Sequence, residues 1–117
     1  MSFVATENKG FRITFDNKFT IWVQWGNCNY CEKKNLGAEY KDEMKETIWE
    51  STSAEVAVFD TLGDIISIGK HDAVIGWLTP NEVAKVIEIV STAENRTEIE
   101  DKTKGLDLEL IWKNTYK

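Results

Sequence analysis

The chain holds one histidine and two cysteines in 117 residues. That scarcity narrows the chemistry open to it. A hydrolase or transferase site needs a nucleophile, a base and a group to orient it, and His71 is the sole imidazole. Neither GxGxxG nor GxxxxGK occurs, so there is no glycine-rich cradle for a phosphate. No apolar run approaches the ~18 residues of a spanning helix. The opening MSFVATENKG lacks a basic stretch followed by an apolar one, so no signal peptide is expected. Basic charge is short as well: 14 Lys and Arg stand against 20 Asp and Glu, for a net charge of −6. Such a balance opposes sequence-independent nucleic-acid binding, which draws its affinity from neutralised phosphates. The expectation is a cytoplasmic, non-enzymatic protein with no cofactor, no nucleic-acid partner and no membrane partner. Asp60, Asp64 and Asp72 are numerous enough for a carboxylate mechanism, but solvated turn residues explain them more simply.

Apolar residues make up 42% of the chain, with five Trp, enough for one domain over 1–117 to bury a core without disulfide support. The clearest organisation lies in Phe11 to Cys31. Phe11, Ile13 and Phe15 alternate with Arg12, Thr14 and Asp16; then Phe19, Ile21, Val23 and Trp25 alternate with Thr20, Trp22 and Gln24. A period of two marks half-buried strands, and two in succession make a hairpin. The apolar sets share a face only if the loop has an odd number of residues, which Asp16-Asn17-Lys18 supplies, with Asn near the left-handed position. That register pairs Phe11 with Val23 and Ile13 with Ile21, and it sets Arg12 across from Trp22 on the other face. Two readings of that face stay open. A second layer of the protein covers Trp22, or Arg12 and Trp22 meet a partner, as residue types enriched where interfaces concentrate their energy.

Residues 1–9 read as a polar lead-in, and the piece from 26 to about 40 reads as a loop with room to move. Residues 40–50 fit a short helix at first and a strand later. Ala54 to Asp60 is apolar on both faces apart from Glu55, the pattern of a central strand. Thr61-Leu62-Gly63 turns the chain, and Asp64 to Ile68 returns it as a second hairpin. Thr79-Pro80-Asn81-Glu82 supplies an N-cap hydroxyl, a proline at the first helical position and a capping-box glutamate. Val83, Val86, Ile87 and Val90 then form an apolar stripe, so a helix is predicted over about 80–93. Residues 94–105 carry charge without a core-facing pattern and read as an exposed connection, while Leu106 to Trp112 alternates strictly and reads as a late edge strand. The predicted class is α+β: a mainly antiparallel sheet of four to five strands with one amphipathic helix on one face.

Cys28-Asn29-Tyr30-Cys31 is the single motif-like spacing. Two thiolates so placed can grip a tetrahedral ion, with His71 and a carboxylate completing the set. A redox dithiol wants a helix N-terminus, whereas polar loop residues follow here. Two reduced, unligated thiols is the simplest reading in the cytosol. The Trp and Tyr residues allow a further arrangement, in which rings sandwich a base while Arg12, Lys33 or Lys34 meets a phosphate.

The run from Phe11 to Cys31, with Val23-Gln24-Trp25-Gly26 and Asn29-Tyr30-Cys31, is followed by Ala54 to Asp60 and by Gly76-Trp77-Leu78-Thr79-Pro80-Asn81-Glu82-Val83. Together these resemble small accessory proteins encoded in bacteriophage genomes. The resemblance implies binding that disables a host component, either a defence protein or the nucleotide messenger that activates it, and it implies no catalytic residues.

The deficit of positive charge falls after residue 40: residues 1–40 hold five Lys and Arg with four Asp and Glu, and residues 41–117 hold nine with sixteen. The first expectation is therefore an inhibitor that occupies a basic site on a host protein through Arg12, Trp22 and Gln24, with Tyr30, Lys33 and Lys34 nearby. The second is a sponge that sequesters a signalling nucleotide in an aromatic pocket. The third is a zinc-stabilised adaptor built on Cys28, Cys31 and His71. The oligomeric state is left open, a homo-oligomer included.

Overall fold

Alternation at Phe11–Thr14 and Thr20–Gln24 produces the hairpin that the residues foretell. The structure, a computed structural model, describes residues 1–6, 10–26, 31, 50–69 and 74–106. Within them, strands β1 (Ser2–Thr6), β2 (Gly10–Thr14), β3 (Thr20–Gln24), β4 (Ala54–Phe59), β5 (Ile65–Ile66) and β6 (Ile75–Leu78) form one antiparallel sheet. Helices α1 (Pro80–Thr92) and α2 (Arg96–Lys104) complete an α+β fold. The strand order is β1-β2-β3-β4, and β5 and β6 share the far edge of β4 end to end.

The β2–β3 register is the one the odd loop demands: Phe11 faces Val23, Arg12 faces Trp22 and Ile13 faces Ile21. The Phe15 amide donates to the Phe19 carbonyl at 2.9 Å, which closes the loop. The left-handed residue is Lys18, at φ 74°, rather than Asn17. Asn17 is used instead as a side-chain bridge. Its Oδ1 accepts from the Phe19 amide at 3.1 Å, and its Nδ2 donates to the carbonyls of Val90 and Ala93 at 2.8 and 3.0 Å. Those carbonyls end α1, where the helix itself offers the Val90 oxygen no more than a long bond of 3.4 Å from the Ala93 amide. Gly10 is required by close approach, because a Cβ there would collide with the Val23 carbonyl oxygen and sit 2.8 Å from the Gln24 Cα.

β4 is central, as its two-sided apolar run implies, and β3 aligns on it with Ile21 facing Val58 and Val23 facing Val56. Thr79 caps α1: its hydroxyl accepts from the Glu82 amide while Glu82 returns to the Thr79 amide. Val83, Val86 and Val90 lie buried against Ile21, Val56, Val58, Ile66, Ile75 and Leu78, so α1 covers one face of the sheet. Burial of about 1.5–3 kcal/mol for each such side chain makes this layer the main source of stability.

Three expectations are corrected, and one strand is added. Residues 2–6 are strand β1 and not a lead-in, because Phe3 and Ala5 pair with Ile13 and Phe11 and extend the apolar face. Residues 96–104 are helix α2 and not an exposed connection. Asn95 caps it, Ile99 and Thr103 are fully buried, and one apolar residue per two turns is too sparse a stripe to read from the sequence. The second hairpin returns for Ile65–Ile66 alone, though Ile68 is buried. Residues 75–78 form β6, with a register shift against Ala54 to Val56 and Trp77 in the left-handed region at φ 56°, a conformation that β-alternation does not announce. The count is thus six strands and two helices among the described residues. Apart from Gly26 and Cys31, the loop expected at 26–40 lies outside them, as does the late strand beyond Leu106. Among the described residues no helix is long and apolar enough to cross a membrane.

Candidate functional site

Because α1 occupies the face carrying Ile21 and Val23, residues one position out of phase lie on the sheet's other face. Alternation across the paired strands gathers Val4, Arg12, Thr14, Thr20, Trp22, Ala57 and Phe59 there. Arg12 places its guanidinium carbon 5.2 Å from the centroid of the Trp22 ring. On the other side of that indole lies Phe59, with ring centroids 5.4 Å apart and planes inclined at 51°. The indole is thus held between a cation and a second aromatic ring, and it stays half-buried among the described residues.

These residues line an open cleft of about 450 Å³ together with Thr14, Lys18, Thr20, Asp60, Thr61 and Gly63. Thr14 and Thr20 share a hydrogen bond between their hydroxyls at 2.9 Å across the β2–β3 pair. Lys18 arrives from the left-handed turn position, a conformation that disfavours any side chain with a Cβ. Neither Arg12 nor Lys18 forms an ion pair among the described residues, where the salt bridges are Arg96–Asp60, Arg96–Glu100 and Lys102–Glu98.

Asp60 forms the acidic rim of the cleft, and it is not the freely solvated turn residue expected. Its Oδ1 accepts from the amides of Leu62 and Asp64, both at 2.9 Å, and its Oδ2 meets Arg96 at 3.1 Å. Arg96 also donates to the Ile65 carbonyl, tying α2 to the β4–β5 turn. The Asp64 amide above all, then the Leu62 amide and the Arg96 guanidinium, holds the carboxyl below its ordinary value of 3.8, against an opposing desolvation. Its charge is committed to the turn, so among the described residues the cleft has two cations without an ion-pair partner beside two aromatic rings. Such a set can hold a planar or apolar group against the rings and a carboxylate or phosphate against the guanidinium.

Of the residues expected to bind, Arg12 and Trp22 come together as foreseen. Gln24 shares their face but lies toward the far end of β3, across from Glu55. Tyr30, Lys33 and Lys34 lie outside the described residues. So do Cys28 and His71, while Cys31 is buried with its thiol 3.6 Å from the Gly26 carbonyl oxygen. Among the described residues no group of three or more His, Cys, Asp and Glu is placed to hold a metal ion. Trp25 belongs to the opposite face, edge-on to Phe11 at 6.1 Å between centroids.

Lys18, Phe59 and Asp60 join the site without having been foreseen. Phe59 and Asp60 depend on the alignment of β4 with β3 across residues 25–53, and no turn chemistry fixes that register. Lys18 had a signal, since it closes an odd loop whose last residue leans toward the face of Thr20. Comparison with protein-family models, with curated proteins and with solved structures finds no match, so the site's chemistry is read from this chain's own residues.

Proposed function

We propose that this chain is a small non-enzymatic binding protein whose contact surface is the open face of the sheet, centred on Arg12 and Trp22. The observation that supports it most is the guanidinium 5.2 Å over an indole that a second ring, Phe59, flanks in an open cleft. Trp and Arg in such a setting are the side chains that dominate interface energetics, often at 2 kcal/mol or more on truncation. The net charge of −6 steers the chain toward a basic partner surface, and short-range affinity then comes from a carboxylate of the partner meeting Arg12 and Lys18 and an apolar group meeting the rings. The resemblance to phage accessory proteins supplies the setting: the partner is a host protein, and its occupation disables it.

The test is a pull-down from bacterial lysate with the wild type and an Arg12→Ala, Trp22→Ala variant. Loss of a partner in the variant is the expected result. Equal recovery of the same partner by both removes this face from the function.

A second reading has its own observation. Arg12 and Lys18, without carboxylate partners among the described residues, converge with Trp22 and Phe59 on one cleft, and a signalling nucleotide offers both a ring and phosphates to that set. Thermal-shift measurements with cyclic and ADP-ribose-type nucleotides separate the two. Stabilisation by one nucleotide favours sequestration, and unchanged melting with all of them favours the protein partner.

A further inference from the structure

We infer that a second copy of this chain pairs with it along the outer edge of β1, antiparallel, so that the sheet continues across a two-fold axis. β1 pairs with β2 alone among the described residues, leaving its other edge as a row of unpaired amides and carbonyls. Edges of this kind are normally blunted by charge, proline or a bulge. Ser2-Phe3-Val4-Ala5-Thr6 carries no charge and no proline, and its register with β2 is unbroken over all five residues.

A second feature points to the same edge. On the helix side of the sheet, α1 packs on β3, β4 and β6, and its Ser91 lines a hollow together with Met1, Ser2 and Phe3. Phe3 is 84% exposed and Met1 82%, on a shelf that continues through Ile13 and Phe15. Large apolar side chains left beside a bare strand edge mark an interaction surface.

The occupant follows from symmetry and charge. With the axis at Val4, antiparallel pairing sets Val4 against its own copy and each Phe3 against the other chain's Ala5, a large ring over a small side chain. Phe3 and Ala5 both lie on the helix side, since they pair with Ile13 and Phe11. Two chains of net charge −6 repel each other broadly, and the stretch Ser2–Thr6 offers an approach free of ionisable side chains.

Two Phe3 rings supply roughly 300–500 Å² of burial. With the strand backbones and Met1 the interface comes near the lower limit of about 1,200 Å² for stable association. Dimerisation is therefore expected on the order of 10–100 µM, the range of a transient contact. The two open faces then lie on the same side of a continuous sheet. The two β3 strands are about 24 Å apart, five strand spacings of ~4.8 Å.

Sedimentation of the full chain from low micromolar to about 500 µM reads the association directly. The wild type should shift from monomer to dimer. Raising salt from roughly 0.05 M to roughly 0.5 M should tighten the dimer several-fold, because screening relieves the like-charge repulsion. Phe3→Glu and Ala5→Lys should each leave a monomer with an unchanged circular-dichroism spectrum, since both side chains are exposed. A wild type that stays monomeric throughout overturns the proposal. So does a dimer that survives both substitutions, which would place the contact elsewhere.

Discussion

Replacing Asn17 by alanine isolates the link between the β2–β3 turn and the end of α1. The side chain makes three hydrogen bonds, to the Phe19 amide and to the carbonyls of Val90 and Ala93, and it reaches 73 and 76 residues along the chain to do so. Each such bond contributes about 1 kcal/mol net, and a group left unpaired adds its desolvation. The site is part-buried, so water can replace some of what is lost, and the Val90 carbonyl keeps the Ala93 amide at 3.4 Å. The expected loss is about 1.5–3 kcal/mol, or roughly 6–12 °C in Tm for a domain of this size. Urea denaturation should show a lower midpoint at an unchanged slope, since the substitution alters no large apolar surface. Asn17→Asp sharpens the test. It keeps an acceptor for the Phe19 amide but aims a carboxylate at two helix-terminal carbonyls, where negative charge is disfavoured. It should be less stable than Asn17→Ala at neutral pH. It should recover on acidification, because the folded state would bind that proton more tightly than the unfolded chain. A loss below about 0.5 kcal/mol for Asn17→Ala would refute the reasoning, since a surface substitution of no consequence does as much.

Thr79→Ala removes the capping hydroxyl of α1 and should lower stability by about 1 kcal/mol in denaturant titration, with Thr79→Ser restoring it. Gly10→Ala brings a methyl group against the Val23 carbonyl and the Gln24 backbone, so it should cost about 2 kcal/mol or more and broaden amide exchange protection along β2 and β3. Ile21→Ala opens a cavity beneath α1 in a fully buried position and should cost about 2–5 kcal/mol. Asp60 has a folded pKa below its ordinary 3.8, so the stability it contributes is fully present above that value and is lost as pH falls through the folded one. Asp60→Asn should flatten the acid limb of a stability-against-pH curve; an unchanged limb would assign that slope to other carboxylates. Lys102 is shifted upward by its hydrogen bond to Glu98, so its contribution is present below its ordinary 10.5 and fades as pH rises through the folded value.

Local chemistry alone determined two parts of this protein. A three-residue loop between two alternating runs admits one register that keeps Phe11, Ile13, Ile21 and Val23 on a single face, and that register puts Arg12 beside Trp22. Thr79, Pro80 and Glu82 likewise fix the start of α1, because capping involves partners three residues apart. Tertiary structure decided what depends on distant partners. Ser2–Thr6 becomes a strand through the face that β2 presents to it, and residues 96–104 become a helix by burying Ile99 and Thr103. Phe59 reaches the indole through the alignment of β4 on β3, a pairing across a long connection that no turn chemistry encodes. Asn17, which looks like a turn residue, is committed to the end of a helix that begins more than sixty residues later, a contact visible only once sheet and helix are packed.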